Sequence, residues 1–285
     1  MNERLNNMYA VDFEYDGKQL SDYGMMICSF DSSGLETVSS GSDITFNTVK
    51  PTGSNNSKLY GTRYEEMYTS TFQVCCNPCN GEKMYLEPAE VSSIQRWLCK
   101  EDGYHKFKII QDNFEDIYWN GTFSCKQINL SGEIAGLELT LYTNSPYPYL
   151  AIQPISYSLQ PNNSFSLNDT SDKVGAIYPK LTIVCNGGNG SENSKIKLSN
   201  NMDNKFLFLS NLSKGEVITI DGDNKLIFSS INRDNLSNSF NYYYPRIFNK
   251  IENGNDIREN IFSLSSDSIP CDITFEYSPI IKVGL

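Results

Sequence analysis

The sequence is poor in the residues that catalysis and membrane spanning require. Its 285 residues include one histidine, His105, and two tryptophans, Trp97 and Trp119. Any Ser-His-Asp or Cys-His mechanism would have to use His105, but the surrounding YHKFKII is a strand-like segment without a neighbouring nucleophile motif. No segment approaches the roughly 18 consecutive apolar residues of a membrane helix, so we expect no membrane insertion.

Basic residues are also scarce. Lys and Arg total 23 against 34 Asp and Glu, which gives a formal net charge of −11 and a pI near 4.7. A chain with this balance repels phosphate backbones, so we expect no nucleic-acid recognition. The acidic residues are scattered and predict a solvated acidic surface. The start MNERLNNMYAVDF has no basic region followed by an apolar run, so we expect the chain to be made and kept in a cytosol.

Aromatic residues, in contrast, are plentiful. The chain has 18 Tyr and 15 Phe, an enrichment typical of pleated, half-buried β-sheets. Its length is about twice that of a usual domain, so two domains are expected. Three prolines within Ser145–Pro154 favour an extended connector, and we place the boundary there, between a module of residues 1–147 and a module of residues 148–285.

The first module is predicted to be a β-sandwich or barrel with one α-helix. We expect the helix within Tyr85–Gly103, with Pro88 at its first position and Gly103 as its stop. Four apolar residues at helical spacing form one stripe that should face the core: Val91, Ile94, Trp97 and Leu98.

Strands are expected on both sides of this helix. A hairpin is predicted from Val11 to Ile27 around an Asp16-Gly17 turn. The segment Pro51–Gly61 is rich in Gly, Ser and Asn and predicts a flexible, exposed loop that can reach a partner. Further strands are expected at Ile44–Phe46, Tyr68–Val74, His105–Ile110, Asp116–Cys125 and Glu138–Thr143.

The second module is predicted to be a β-sandwich of jelly-roll or lectin type. Short strand-like runs are separated there by Asn, Gly and Asp: Ser164–Leu167, Tyr178–Cys185, Lys195–Leu198, Lys205–Leu209, Glu216–Ile220, Lys225–Phe228 and Phe240–Phe248. A lectin-like fold raises carbohydrate binding as a second hypothesis. Tyr242, Tyr243 and Tyr244 offer an aromatic platform, although a tyrosine run beside Pro245 is at least as typical of core and interface packing.

The segment VCCNPCNG contains the sharpest chemical cluster. Cys76 and Cys79 have Cys-x-x-Cys spacing beside Cys75, and Cys99 and His105 lie downstream as further potential zinc ligands. Against a zinc site, Cys99 directly follows apolar helix residues, and no second closely spaced ligand pair is present. We therefore expect no metal and no cofactor, with the eight cysteines as free thiols.

The remaining patterns predict turns or solvated side chains. The acidic pairs Glu65-Glu66 and Glu101-Asp102 give no sign of the separation that glycosidase chemistry needs. NGGNGSEN lacks the Lys-Ser/Thr of a phosphate-binding loop. DGDN at Asp221–Asn224 is followed by Lys225 at a calcium-ligand position and by Asn232 in place of the bidentate Glu. No catalytic, cofactor-binding or metal-binding residue is assigned, and an enzyme is not expected.

Several segments together resemble the distal tail protein family of siphophages. In the first module these are FEYDGKQLSDYGMMICSFD, ITFNTVK, FQVCCNPC and IQRWLCKEDGYHKFKI. In the second they are IYPKLTIVCNGG, KGEVITIDGDNKLI, YYYPRIFNKIENGNDI and CDITFEYSPIIKVGL. The match lies in spacing and turn placement and covers most of both modules. ENGNDIREN departs from the Gly-x-Asn turn and regular strand with which the family often ends its last module.

This resemblance implies a structural virion protein of a phage tail tip or baseplate, assembled in the host cytoplasm. The first module would close into a homo-hexameric ring, and a galectin-like second module would face outward. The implied partners are further copies of the chain, the tail tube protein, the tail-tip hub and a receptor-binding protein. The alternatives are a carbohydrate-binding adhesion module and a baseplate component of a contractile tail or tailocin.

Overall fold

The computed structural model describes residues 11–30, 44–64, 67–80, 83–111, 114, 116–172, 175–231, 236–249 and 259–282. The chain divides into two compact units, Met1–Leu150 with Ile281–Leu285 and Ala151–Ile280. Within the described residues both units consist of antiparallel strands, with a single α-helix in the first. This confirms the predicted mostly β fold. No helix in these ranges is long and apolar enough to cross a bilayer.

The first unit contains ten strands in its described part. They are β1 (Asp12–Tyr15), β2 (Lys18–Gln19), β3 (Met25–Cys28), β4 (Ile44–Val49), β5 (Lys58–Tyr64), β6 (Thr69–Cys76), β7 (His105–Ile110), β8 (Ile117–Leu130), β9 (Glu133–Thr143) and β10 (Tyr149–Leu150). Eight form one antiparallel sheet in the order β2-β1-β7-β8-β9-β6-β3, with β10 paired to β8. Strands β4 and β5 form a separate two-stranded sheet.

The large sheet curls until its two ends meet. The backbone N–H of Ile27, in the edge strand β3, donates to the carbonyl oxygen of Val11 immediately before β1, over 3.0 Å. The aromatic side chains Phe13, Phe107 and Trp119 are each at most 1% exposed and belong to one apolar cluster. The sheet therefore forms an almost closed, barrel-like layer around an aromatic core.

The helix α1 (Pro88–Leu98) begins as predicted and ends earlier. Glu87 is the N-cap residue and forms a capping box with Glu90, and Pro88 occupies the first turn. At the other end, the N–H of the C-cap residue Cys99 donates to the Gln95 carbonyl oxygen over 2.8 Å. Gly103 was thus wrongly predicted as the helix stop; it has a φ of 135° in the loop that leads to β7.

The predicted apolar stripe of the helix is buried. All four of its residues belong to the core of the first unit: Val91, Ile94, Trp97 and Leu98. The indole Nε1 of Trp97 donates to the backbone carbonyl oxygen of Tyr15 over 2.9 Å. The Trp97 ring also stacks on Tyr23 with centroids 4.6 Å apart. Trp97 therefore fastens the helix to the first hairpin.

Two predicted features of the first unit need correction. Asp16 and Gly17 do form a tight turn, with φ of 50° and 74°, but the returning strand is the short β2. The predicted strand around Tyr23–Ile27 pairs instead with β6, because the chain crosses to the far edge of the sheet after a 3-10 turn at Leu20–Tyr23. The predicted loop Pro51–Gly61 is shorter than expected, since Lys58 already starts β5.

The second unit contains strands β11 to β21. They are β11 (Gln153–Leu159), β12 (Ser164–Asn168), β13 (Ala176–Ile177), β14 (Lys180–Cys185), β15 (Ile196–Asn200), β16 (Phe206–Leu209), β17 (Val217–Asp221), β18 (Leu226–Ser229), β19 (Ile247–Phe248), β20 (Glu259–Leu264) and β21 (Cys271–Tyr277). A five-stranded sheet has the order β11-β21-β14-β17-β18, and a four-stranded sheet has the order β12-β20-β15-β16. A short pair, β13-β19, accompanies them.

Both larger sheets contribute to one core, so the predicted sandwich is confirmed. Ile183 and Phe275 come from one sheet and Ile196 and Phe262 from the other, and each is at most 1% exposed. The prediction omitted β11, β13, β20 and β21, although β21 is an interior strand that lies between β11 and β14. Within the predicted run Phe240–Phe248, only β19 is a strand.

Candidate interaction surfaces

Four exposed large apolar side chains of the first unit lie together on the hairpin of β4 and β5, which we call the β4–β5 arm. The exposed fractions are 58% for Phe46, 54% for Val49, 58% for Leu59 and 70% for Tyr60. In the described part of the chain, these two strands pair only with each other. A two-stranded hairpin is marginally stable alone in water, and a cluster of exposed apolar groups commonly marks an interaction site.

His105 lies in an ion-pair network next to the first hairpin. Its Nδ1 lies 3.2 Å from Oδ1 of Asp16, and its Nε2 lies 2.9 Å from Oδ1 of Asp102. The Lys100 ammonium also pairs with Asp16 and, as the main cause, holds the pKa of that carboxyl below its ordinary value. Hydrogen bonding to His105 likewise lowers the pKa of Asp102. Both ring nitrogens thus face carboxylates that fix the hairpin turn to the loop after the helix.

The structure separates the residues of the suggested zinc site. Cys75 and Cys76 are successive residues of β6, whereas Cys79 is exposed in a short 3-10 turn and Cys99 caps the helix. His105 is held by the two aspartates described above. Across the described ranges, no group of three or more His, Cys, Asp or Glu residues is arranged to hold a metal ion. Burial is the main cause that raises the pKa of Cys76 and of Cys99, which favours the neutral thiol.

The other polar motifs are turns, as far as they lie within the described residues. DGDN forms the β17–β18 turn, where Oδ1 of Asp221 accepts hydrogen bonds from the backbone N–H groups of Asp223 and Asn224 over 3.1 and 3.0 Å. Gly188, in NGGNGSEN, has a φ of 107°, and a Cβ there would lie 2.4 Å from the Leu212 carbonyl oxygen. Glu65, Glu66 and Asn232 lie outside the described residues.

A cleft of about 300 Å³ opens on the second unit. Four tyrosines line it: Tyr178, Tyr242, Tyr243 and Tyr244. Three cationic side chains complete its lining: Lys205, Lys225 and Arg246. We call this site the tyrosine cleft.

The tyrosine run has two environments. Tyr243 and Tyr244 pack partly against the sandwich core, as the packing interpretation predicts, whereas Tyr242 is 64% exposed. The sequence analysis singled out these tyrosines but missed Tyr178 and the cations. Arg246 follows the tyrosine run after Pro245, whereas Tyr178, Lys205 and Lys225 come from three other segments. No pattern in the sequence indicates that these segments converge.

Comparisons with known proteins cover both halves of the chain. Residues 8–145 match a family model described as a phage tail protein N-terminal domain, and residues 147–277 match one described as a phage tail C-terminal domain. No curated protein matches the chain. Among solved structures, the crystal structure of SPP1 Dit is similar, with a TM-score of 0.62 at 10% sequence identity.

The similarity to SPP1 Dit extends over 95% of this chain and 99% of that one. SPP1 Dit is described as a paradigm of the hub adsorption apparatus in phages that infect Gram-positive hosts. At 10% identity the likeness concerns the fold. Because models described as phage tail protein domains match both halves, the chain belongs to the phage tail proteins and is a component of the virion tail, and its fold is that of SPP1 Dit.

Proposed function

We propose that the chain assembles through its first unit into a homo-hexameric ring at the tail tip. The ring would join the tail tube to the tail-tip hub and to the receptor-binding machinery, and it would assemble in the host cytoplasm. In this proposal the protein positions other proteins and catalyses no reaction. The observation that carries the proposal is the β4–β5 arm, which exposes apolar side chains and has no pairing strand among the described residues.

Burial of the arm supplies a driving force for assembly. Fully burying one large apolar side chain contributes about 1.5–3 kcal/mol, so covering Phe46, Leu59 and Tyr60 would favour a contact between subunits. In a closed ring each subunit offers one surface to its left neighbour and a different one to its right. An arm that reaches from one subunit onto the next provides such an unequal contact and leaves no arm exposed once the ring closes.

The charge of the first half of the chain fits a conduit for DNA. Residues 1–150 contain 20 Asp and Glu against 11 Lys and Arg, whereas residues 151–285 contain 14 against 12. The acidic excess is thus concentrated in the half that we propose to form the ring, whereas the sequence analysis describes the acidic residues only as scattered. Carboxylates that face a central hole repel phosphates, so DNA would pass without being held.

The arm can be tested with a charged substitution. Leu59→Asp combined with Phe46→Asp should abolish the oligomer while leaving the monomer folded, because a ring contact would have to bury both carboxylates. Light scattering after size-exclusion chromatography at tens of micromolar gives the mass, and circular dichroism checks the fold. Phe228→Asp is the matched control, since Phe228 is 56% exposed on the second unit and should leave the oligomer intact.

Two results would contradict the proposal. One is a wild-type protein that stays monomeric at this concentration both alone and with purified tail tube protein and hub. The other is a hexamer that persists in the doubly substituted arm. Electron microscopy of the wild-type oligomer should show six subunits around a central hole.

A further inference from the structure

The tyrosine cleft combines aromatic side chains with the ammonium groups of Lys205 and Lys225, and we propose that it binds an acidic saccharide, a pyranose ring that carries a carboxylate or a phosphate. The cleft of about 300 Å³ is at the lower end of the range for small-molecule sites, which suits one sugar unit. This inference does not depend on ring formation, because every lining residue belongs to the second unit.

One wall of the cleft is fixed by the carboxylate of Asp203, whose side chain is 7% exposed. Its Oδ2 accepts a hydrogen bond from the Tyr243 hydroxyl over 2.6 Å and another from Nε of Arg246 over 3.0 Å. These contacts neutralise Arg246 and hold the Tyr243 ring in one orientation. A ligand would therefore meet a preformed aromatic surface and lose little entropy in ordering it.

Another part of the lining depends on a close approach between the β17–β18 turn and Tyr178. A Cβ at Gly222 would lie 2.8 Å from the Pro179 carbonyl oxygen and 2.9 Å from Cβ of Tyr178, so only glycine fits there. This approach places Nζ of Lys225 3.0 Å from the centroid of the Tyr178 ring. The Tyr244 hydroxyl fastens the same turn by donating to the Lys225 carbonyl oxygen over 2.6 Å.

Lys225 and Lys205 provide the positive charge for an anion. Nζ of Lys225 donates to the Gly222 carbonyl oxygen over 2.6 Å, which uses one of the three donors of an ammonium group. Lys205 is exposed, and no carboxylate among the described residues pairs with it. Among the described residues, the lining contains no Asp or Glu, and the carboxylate that interacts electrostatically with Lys225, that of Asp223, lies outside the lining. In a chain with a net charge of −11, this is a local positive site where anions would concentrate.

Tyr242 supplies the surface for the sugar ring. It is 64% exposed and has a φ of 55°, a backbone conformation that is costly for a bulky residue. The left-handed backbone keeps this large aromatic ring at the cleft instead of in the core. The C–H face of a pyranose is apolar and can cover such a ring, while the acidic group of the sugar reaches the lysines.

The proposal can be tested on the full chain with small acidic sugars. Saturation-transfer difference NMR should show glucuronate and glucose 1-phosphate in contact through their ring C–H protons, and isothermal titration should give millimolar dissociation constants. Glucose, which lacks the charge, should bind about tenfold more weakly, the loss expected for one charge-assisted hydrogen bond. A preference for glucuronate over glucose 1-phosphate would identify a carboxylated polymer as the source, and the reverse would identify a phosphorylated one.

Matched substitutions separate the cleft from the rest of the surface. Lys225→Gln and Tyr242→Ala should each weaken glucuronate binding about tenfold or more. Lys214→Gln removes the same charge from an exposed turn of the same unit, and Phe228→Ala removes an exposed aromatic ring outside the cleft. Both controls should bind as the wild type does.

Several outcomes would overturn the inference. Glucuronate that does not saturate the protein at 50 mM, equal binding of glucose, or unchanged binding in both cleft variants would each do so. Inorganic phosphate that binds as tightly as the sugars would indicate a simple anion site. Tighter binding of a short acidic peptide would assign the cleft to a protein partner instead.

Discussion

The two units have the same type of secondary structure but expose different surfaces. Both are antiparallel β-structures with a well-buried core, but they differ in where apolar and charged groups remain exposed. The first unit exposes apolar groups on the β4–β5 arm and carries most of the acidic excess. The second unit is nearly neutral and gathers tyrosines and cations in a cleft. A hairpin without a further pairing strand among the described residues suits assembly, whereas a cleft with hydrogen-bonded side chains suits recognition of a small group.

Trp97→Ala should have the largest effect and should act on the first unit alone. It removes a buried indole and leaves the Tyr15 carbonyl oxygen without its donor, so the free energy of unfolding should fall by about 3–5 kcal/mol. Differential scanning calorimetry should show one transition moving to lower temperature while the other stays. Tyr104→Ala, at a tyrosine that is 48% exposed, is the control. Equal shifts of both transitions would mean that the units unfold as one.

Asp203→Asn is the corresponding change in the second unit. Although burial opposes its charged form, hydrogen bonds from Tyr243 and Arg246 hold the pKa of Asp203 below its ordinary value. A lowered pKa in the folded state stabilises the protein above the unfolded pKa of about 3.9, and this contribution is lost as the pH falls through the folded value. At pH 7 the substitution should cost about 1–3 kcal/mol.

Urea unfolding of the second unit at pH 7 and at pH 3 measures this contribution. The wild type should lose more stability than Asp203→Asn between the two pH values. Glu192→Gln removes an exposed carboxylate of the same unit and should keep the wild-type pH dependence. Parallel pH profiles for wild type and Asp203→Asn would show that Asp203 does not contribute as described.

The smallest expected effect is a difference in the rate at which the cysteines of the two units react with a thiol reagent. Cys79 is exposed on the first unit and should react first with a chromogenic disulfide reagent, and Cys79→Ser should remove that fast phase. In the second unit, Cys185 and Cys271 are buried and lie opposite each other on neighbouring strands. Burial raises the pKa of Cys271 to about 12, so little thiolate is available to react.

The same reagent counts the free thiols. All eight cysteines are unbridged in the structure, so eight groups should react after denaturation without reductant. A Cys185→Ser, Cys271→Ser variant has only six cysteines, so six groups should react in it against eight in the wild type. A count of six in both proteins would therefore locate a disulfide between these two residues.

Local patterns in the sequence are sufficient to predict the helix and most strands. Pro88 and the spacing of Val91, Ile94 and Trp97 predict the start and the buried face of α1, because both depend on residues within a few positions. The partner of β3 could not be predicted in this way. Its pairing with β6 joins residues that are distant in sequence, and the adjacent turn at Asp16-Gly17 suggested a closer partner.

The candidate surfaces were the least predictable part. Phe46 and Leu59 are exposed on strands that pair, within the described ranges, only with each other, and the alternation of apolar residues does not reveal this. The tyrosine cleft needs Tyr178, Lys225 and Tyr242 to converge, and that convergence depends on the space left by Gly222. Each surface depends on how separate segments are placed in the folded chain, and no single segment has a pattern that indicates this placement.

The position of β21 has a consequence for how the chain folds during synthesis. This strand lies between β11 and β14, and its pairing with β11 joins residues on the order of a hundred positions apart. While the ribosome is still translating that interval, β11 and β14 expose unsatisfied backbone groups that can pair with a neighbouring nascent chain. Slow translation or crowded polysomes would therefore expose the second unit to mispairing for longer than the helix of the first, which contacts Tyr15 and Tyr23, made before it, and β8, made shortly after it.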